Sequence, residues 1–392
     1  MSGNKPPSPP PSPSQHRLLR CGTLVAIFLL FICLFLAGPA FTHLRAVGLL
    51  LRVENPQHWG TLARFDTHPV AEKLTEVPTP AGPIRARLYI PGGVANPPAM
   101  VIVHGVHHLG IDEPRLVAFA RAMSASGIRV LTPELAALVD YQIDSHSIDL
   151  IGYSARSLSA SVGQKVGVLG ISFGGGLSLI AAARPQYAPY ISFVVSVGAH
   201  DDLARVSQFL ITNTISRPDG TTLHMQAHEY GPLILIYSHL EDFFPPADLS
   251  SAHEALRLLL WEKVDESKKA AAMLSPPSRE KMDLLYKHDV DALADEMKQA
   301  IARHHPEMAP ASPHGKLGSL HVPVLLMHGA ADNVIPPSEM VWLQRDIPPG
   351  LVKDALTTPA LSHASMDGKP SLADNLRLVH FMAQLLAQVD KR

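Results

Sequence analysis

A chain of 392 residues carries 33 Lys and Arg against 35 Asp and Glu, a formal net charge of −2, and it has no long basic run. That excludes a phosphate-backbone footprint, and with it a nucleic-acid partner. Hydrophobic residues make up 46% and charged ones 17%, an apolar balance for an enzyme wholly in water, which points to a segment in lipid.

Residues 1–20 are rich in Ser and Pro, a composition that buries little apolar surface and favours disorder. From Cys21 to Leu44 no formally charged residue occurs, longer than the roughly 20 residues a helix needs to cross a bilayer core. Residues 21–44, with Thr23 to Phe41 as the central stretch, are therefore expected to form a single-pass transmembrane helix. Its length and the long preceding tail favour an uncleaved anchor over a cleaved signal peptide, and its apolar character on every face sets it apart from an ordinary core helix. Arg17 and Arg20 precede it and Arg45 and Arg52 follow; with Lys5 counted, the balance places the N-terminus in the cytoplasm and the rest of the chain on the non-cytoplasmic side of the membrane. Cys21 and Cys33, the two cysteines of the chain, both lie in this stretch, which leaves the remainder without a disulfide, a thiolate nucleophile or a cysteine metal site. Residues 45–80, ending in Val77-Pro78-Thr79-Pro80, read as a linker with some local helix.

From Ile84 onward strand-like and helix-like segments alternate, the sequence form of an α/β fold with a mostly parallel sheet and helices on both faces. Strands are expected at Ile84–Ile90, Ala99–His104, Ile128–Thr132, Gln164–Gly170 and Ile191–Val197, and helices at Glu113–Ser126 and Ile148–Val162. The alternation stops between Gly198 and His321, an interval much longer than one crossover helix requires. Met282, Leu285, Leu293, Met297 and Ile301 recur there at helical spacing, so the interval reads as a helical cap inserted into the sheet domain. The pattern resumes with a strand at Val322–Met327, a helix near Ser338, a strand near Leu351–Leu356 and a closing helix from Leu372 to Val389. The domain reading is a core over 81–200 and 316–392 interrupted by a cap over 201–315.

Gly170-Ile171-Ser172-Phe173-Gly174 fits G-x-S-x-G and stands between a buried strand and a helix, the setting in which that pattern forms a nucleophile elbow. A serine there adopts a strained backbone that needs small residues two positions before and two after, and Gly170 and Gly174 supply them. On these residues the chain resembles the α/β-hydrolase superfamily, from about Ile84 to the C-terminus with most of the cap excluded. The resemblance implies an α/β-hydrolase fold with Ser172 as nucleophile, and it implies that His104-Gly105-Val106, after the strand at Ala99–His104, corresponds to the turn that gives one oxyanion-hole amide. Val106 would supply that amide and Phe173 the second. His328-Gly329-Ala330-Ala331-Asp332 resembles the acid-bearing loop and Leu361-Ser362-His363 the late loop that bears the base, with Asp332 orienting His363. Asp201 and Asp202, after the strand at Ile191–Val197, occupy a rival acid position. His104, His107 and His108 lack any metal-ligand spacing, and neither metal nor cofactor is implied. The expected chemistry is cleavage of a carboxylic ester through an acyl-enzyme. The substrate would be a small-molecule or lipid-like acyl compound, with Phe209, Phe243, Phe244 and Trp261 as pocket walls. An acyltransferase working through the same intermediate, or a binding protein that keeps the fold without activity, remain alternatives.

Overall fold

A computed structural model of the chain describes residues 38–289, 291–362 and 369–391. Among them the chain begins in helix α1 (residues 38–54). Strands β1 (Val70–Val77), β2 (Ile84–Pro91) and β3 (Ala99–Val103) follow, then helix α2 (Pro114–Ala125), strand β4 (Arg129–Pro133), the short α3 (Ala136–Val139) and α4 (His146–Val162). Strand β5 (Val166–Ile171), helix α5 (Phe173–Ala183) and strand β6 (Ile191–Val197) complete the first part of the core. The interval after β6 holds α6 (Leu203–Thr212), a small hairpin of β7 (Thr214–Ser216) and β8 (Thr222–His224), and α7 (Tyr230–Ser238), α8 (Leu240–Phe243), α9 (Leu249–Leu260), α10 (Val264–Ala271), α11 (Pro276–Tyr286) and α12 (Ala294–Met308). The chain returns to the sheet with β9 (Val324–Gly329), α13 (Ser338–Asp346), β10 (Val352–Thr358) and α14 (Leu372–Asp390).

The large sheet has the order β1-β2-β4-β3-β5-β6-β9-β10. Strand β2 runs antiparallel to both of its neighbours, and every other pairing is parallel. Its central strands are apolar throughout because helices cover both faces. Along β3, Val101 and Val103 join the core under α4 and α5, whereas Met100 and Ile102 join the core under α1, α2 and α14. This two-residue alternation lets one five-residue strand hold both layers together. Each fully buried Val or Ile in it contributes about 1.5–3 kcal/mol relative to an exposed one. The cap has its own core, in which Met282, Leu285, Leu293, Met297 and Ile301 pack with Leu256 and Phe243. The helical expectation for 201–315 gains one addition, the β7–β8 hairpin.

The stretch 45–80, expected to be a linker, contributes to the domain instead. Ala46 and Leu49 on α1 are fully buried against the sheet. Arg52, 1% exposed, donates to Ala63 O at 2.7 Å and to Ser126 Oγ at 2.6 Å, and burial pushes its pKa down to about 10. Arg45 pairs with Asp66 at 3.0 Å and with Asp390 of α14 at 2.7 Å. These two arginines are thus bound to the domain, which gives them a structural role beside the flanking role expected of them. Strand β1 pairs with β2 along its whole length, from Val70 opposite Pro91 to Val77 opposite Ile84. Of the expected transmembrane segment, residues 21–37 lie outside the described residues, and residues 38–44 form the first turns of α1. Among the described residues no helix is long and apolar enough to cross a membrane.

Candidate active site

Strand β5 pairs with β3 on one side and β6 on the other, so its carboxyl end opens at the middle of the sheet. Ser172 follows it immediately, at φ 55° and ψ −134°, and α5 starts at the next residue. A non-glycine residue at positive φ costs roughly 1–3 kcal/mol and persists only where its surroundings impose it. They do so here from both sides. The Ser172 N–H donates to Val197 O at 2.7 Å and its carbonyl accepts from Gly175 N–H at 2.8 Å. A Cβ on Gly170 would lie 2.3 Å from Gly174 O, and one on Gly174 would lie 2.6 Å from His104 O. The two glycines are therefore what lets the elbow close. Phe173 is the first residue of α5, so its N–H has no intrahelical acceptor and sits at the positive end of the helix dipole.

The turn after β3 lies against this elbow. A Cβ on Gly105 would stand 2.9 Å from Ser172 Cβ and 3.5 Å from its Oγ, which places the backbone preceding Val106 beside the nucleophile position. His104 fixes that turn: its Nδ1–H donates to Gly105 O at 2.7 Å and its Nε2 accepts from Leu135 N–H at 3.0 Å. Burial pushes its pKa down to about 4, so the ring is neutral and structural. His107 and His108 are also lowered, first by burial. Their rings stack on each other at 4.7 Å, and His108 continues onto Trp261 of the cap at 5.3 Å.

Backbone bonds align the carboxyl ends of the neighbouring strands with Ser172. Gly198 N–H donates to Met327 O at 2.8 Å and Ala330 N–H to Thr358 O at 2.9 Å. Asp332, fully buried, follows β9 on this edge, and its Oδ1 accepts from the N–H groups of Val334 (3.0 Å) and Ile335 (2.9 Å). His328 Nε2 lies 3.4 Å from Asp332 Oδ2 and 2.9 Å from Ile335 O. Leu361 and Ser362 run against Gly329, where a Cβ would meet the Ser362 carbonyl at 2.4 Å. The next residue in sequence is His363, the expected base, which lies outside the described residues.

The rival acids are committed elsewhere. Asp202 is the N-cap of α6, accepting from Arg205 N–H at 2.8 Å. Asp201, fully buried, pairs with Arg205 at 2.7 Å, and the Arg205 Nε–H donates to Glu339 Oε1 at 2.6 Å. Glu339 Oε2 also accepts from the N–H groups of Asp201 and Asp202 at 2.8 and 3.0 Å. Burial pushes the Asp201 carboxyl up to about 6, still ionised at neutral pH beside its guanidinium. Glu339, 138 residues away from Asp201, is the partner that reading the sequence missed.

No family model matches this chain, and no curated protein does. Solved structures do. A 2,6-dihydroxy-pseudo-oxynicotine hydrolase aligns at TM-score 0.45 and 16% identity over 82% of this chain and 69% of its own. A hyperthermophilic esterase from the archaeon Pyrobaculum calidifontis aligns at 0.44 and 16% over 88% and 90%. An acylaminoacyl peptidase aligns at 0.48 and 11% over 86% of this chain and 44% of its own.

A cavity of about 330 Å³ lies between the core and the cap. Phe173, next to the nucleophile, and Val334, two residues past Asp332, form its floor; Val206, Leu210, Ile234 and Met308 are among its walls. Phe209, Phe243 and Phe244 are not among its lining: all three are at least 96% buried in packed cores. Trp261 also stands apart from it, packed on His108. None of the expected aromatic walls lines this cavity, because Phe243 and Phe244 fill the interior of the cap and Phe209 packs in the core under α4 and α5. A wider groove of about 820 Å³ runs over α6 and α12, past Gln208, Lys298 and His305, and includes none of the elbow residues.

Proposed function

We propose that the chain is a serine hydrolase with the α/β-hydrolase fold that cleaves carboxylic esters through an acyl-enzyme on Ser172. The observation that carries the reading is the elbow: a buried serine held at positive φ, between the carboxyl end of a central parallel strand and the first turn of a helix, with the Gly105 turn against its Cβ. Strain of that kind at a sheet's carboxyl edge aims Oγ toward the crevice where ligands of parallel sheets bind. In the reaction His363 takes the Ser172 proton as Oγ attacks the ester carbonyl. The amides of Phe173 and Val106 stabilise the oxyanion, and Asp332 orients the imidazole and stabilises its charged form. The alcohol leaves with that proton, and water, activated by the same imidazole, releases the acid. Val206, Leu210, Ile234 and Met308 give the cavity an aliphatic wall that suits a small or lipid-like acyl group. Residues 21–44 anchor the protein in a membrane with the hydrolase domain on the non-cytoplasmic side.

The decisive experiment is covalent labelling of the full-length protein with a fluorophosphonate, followed by mapping of the modified peptide. Modification of Ser172, abolished in Ser172→Ala and accompanied by loss of ester turnover, is the expected result. Labelling at another serine, or ester turnover retained in Ser172→Ala, refutes the assignment.

A further inference from the structure

The polar end of the cavity is built by the cap. His239, at the junction of α7 and α8, and Glu307, on α12, both line it. Between them stands His304, which is buried and shares a face of α12 with Glu307, three positions further on. His304 has a carboxylate oxygen at each ring nitrogen: Glu307 Oε2 lies 3.0 Å from Nδ1 and Asp242 Oδ2 lies 3.0 Å from Nε2. The His239 ring lies parallel to it, with centroids 3.7 Å apart and an interplanar angle of 13°. Two protonated imidazoles would repel in that stack. Two neutral ones do not, and because a ring nitrogen binds a cation in its own plane, the pair shares one ion only once the His239 ring turns out of the stack.

We propose that His239, His304 and Glu307 form a divalent transition-metal site of the zinc type at the cap end of the cavity. One ligand atom from each lies within 4.8 Å of the others. Tetrahedral zinc with bonds of about 2.0–2.2 Å holds its ligand atoms roughly 3.3 Å apart, so closing the shell takes a rotation of the His239 side chain that turns its ring nitrogen toward His304 Nδ1, together with a movement on the order of 1 Å in the exposed Glu307 side chain. Two imidazoles and one carboxylate are a donor set suited to zinc, and they leave a fourth position for an exchangeable ligand. The outer shell is already in place: Asp242 accepts from Nε2 of His304, which orients the ring and makes Nδ1 the ligand atom. Arg303 pairs with the other oxygen of Asp242. Bound metal would join the α7–α8 junction to α12, two parts of the cap that the sequence separates by about sixty residues.

The test uses full-length protein stripped with a chelator and titrated with zinc against a chromophoric competitor. One equivalent should bind, and cobalt(II) in its place should show the intense visible absorption of a four-coordinate site. Glu307→Gln, at a side chain exposed enough for the fold to tolerate the exchange, and His304→Gln should each weaken binding by at least about tenfold. Asp242→Asn should weaken it by about 10–100-fold, as removal of an outer-shell partner does. His314→Gln, in the separate group of Asp201, His314 and Asp346, should bind zinc as the parent does. Ser172→Ala should also bind normally, so the site stands or falls independently of the ester chemistry. Absence of a stoichiometric equivalent, parental binding in Glu307→Gln, or loss of binding in His314→Gln overturns the proposal.

Discussion

Replacing Ser172 by glycine and by alanine should separate the strain at the elbow from its chemistry. Both exchanges remove the hydroxyl, and both should abolish ester turnover and fluorophosphonate labelling. They differ in the backbone they permit. Ser172 sits at φ 55°, ψ −134°, a conformation costing a residue with a Cβ about 1–3 kcal/mol. Alanine keeps that cost and glycine removes it. At an unstrained position glycine would be the less stable of the pair by about 0.5–1 kcal/mol, through the freedom it gains in the unfolded chain. The difference leaves Ser172→Gly more stable than Ser172→Ala by about 1 kcal/mol, a rise of about 1–2 °C in Tm for a domain of this size. Thermal unfolding of the two full-length variants under one set of conditions reads it directly. If glycine is instead the less stable by the ordinary amount, the surroundings do not impose strain at residue 172, and the argument that the fold is built to present this serine fails.

Asp332→Asn should lower turnover by at least about a hundredfold, because misorienting the base costs up to about 10⁴ in related chemistry, whereas Asp202→Asn should cost less than about tenfold. Asp201→Asn should instead destabilise the fold by about 3 kcal/mol, since it leaves Arg205 short of a buried partner; the reverse ranking in turnover, with all variants shown folded, would move the orienting acid to the end of β6. His104 and His200 are both pushed down to about 4 by burial, below the unfolded value near 6.5, so the unfolded chain takes up their protons first. Their contribution, up to about 3 kcal/mol each, is complete above pH 6.5 and lost as pH falls toward 4; Asp201, pushed up to about 6, acts in the opposite sense below that pH. Comparing urea midpoints at pH 7 and 4.5 in the parent and in His104→Gln isolates the ring, and an identical pH response in the two would refute its share. Removing residues 1–37 should leave the urea midpoint of the domain unchanged, whereas removing 1–55 strips Leu49 and Arg52 from their buried sites and should cost at least about 3 kcal/mol; equal midpoints would show that α1 adds nothing to the core.

The parts of the fold visible in the sequence are those where a short apolar run admits one structural reading. Val166-Gly167-Val168-Leu169 and Val324-Leu325-Leu326-Met327 are covered on both faces, and both stand out as strands. Strand β1 does not, because as the edge of the sheet it exposes Glu72, Lys73 and Leu74, charges that guard an open edge and also disguise it. Helix α1 was obscured by the apolar stretch that runs into it. The elbow, the Gly105 turn and the Asp332 loop were legible because each is a local device spelled by adjacent residues. The cavity was not, since its lining comes from α6, α7 and α12 at sites that only the folding of the cap brings together. His239 and His304 likewise carry no common signal in a sequence that separates them by 65 positions.

The docking of α1 changes what attachment at the N-terminus does. A free coil over residues 45–80 would have given the domain a reach of roughly 30–36 Å and every orientation within it. With Ala46, Leu49 and Arg52 sunk into the core and Arg45 bridging to α14, residue 38 is joined to the domain by helix alone. Whatever holds the chain at residue 38 therefore holds the cavity at a set height and bearing, less like a buoy on a rope than a lamp on a bracket, and substrate must come to that one position.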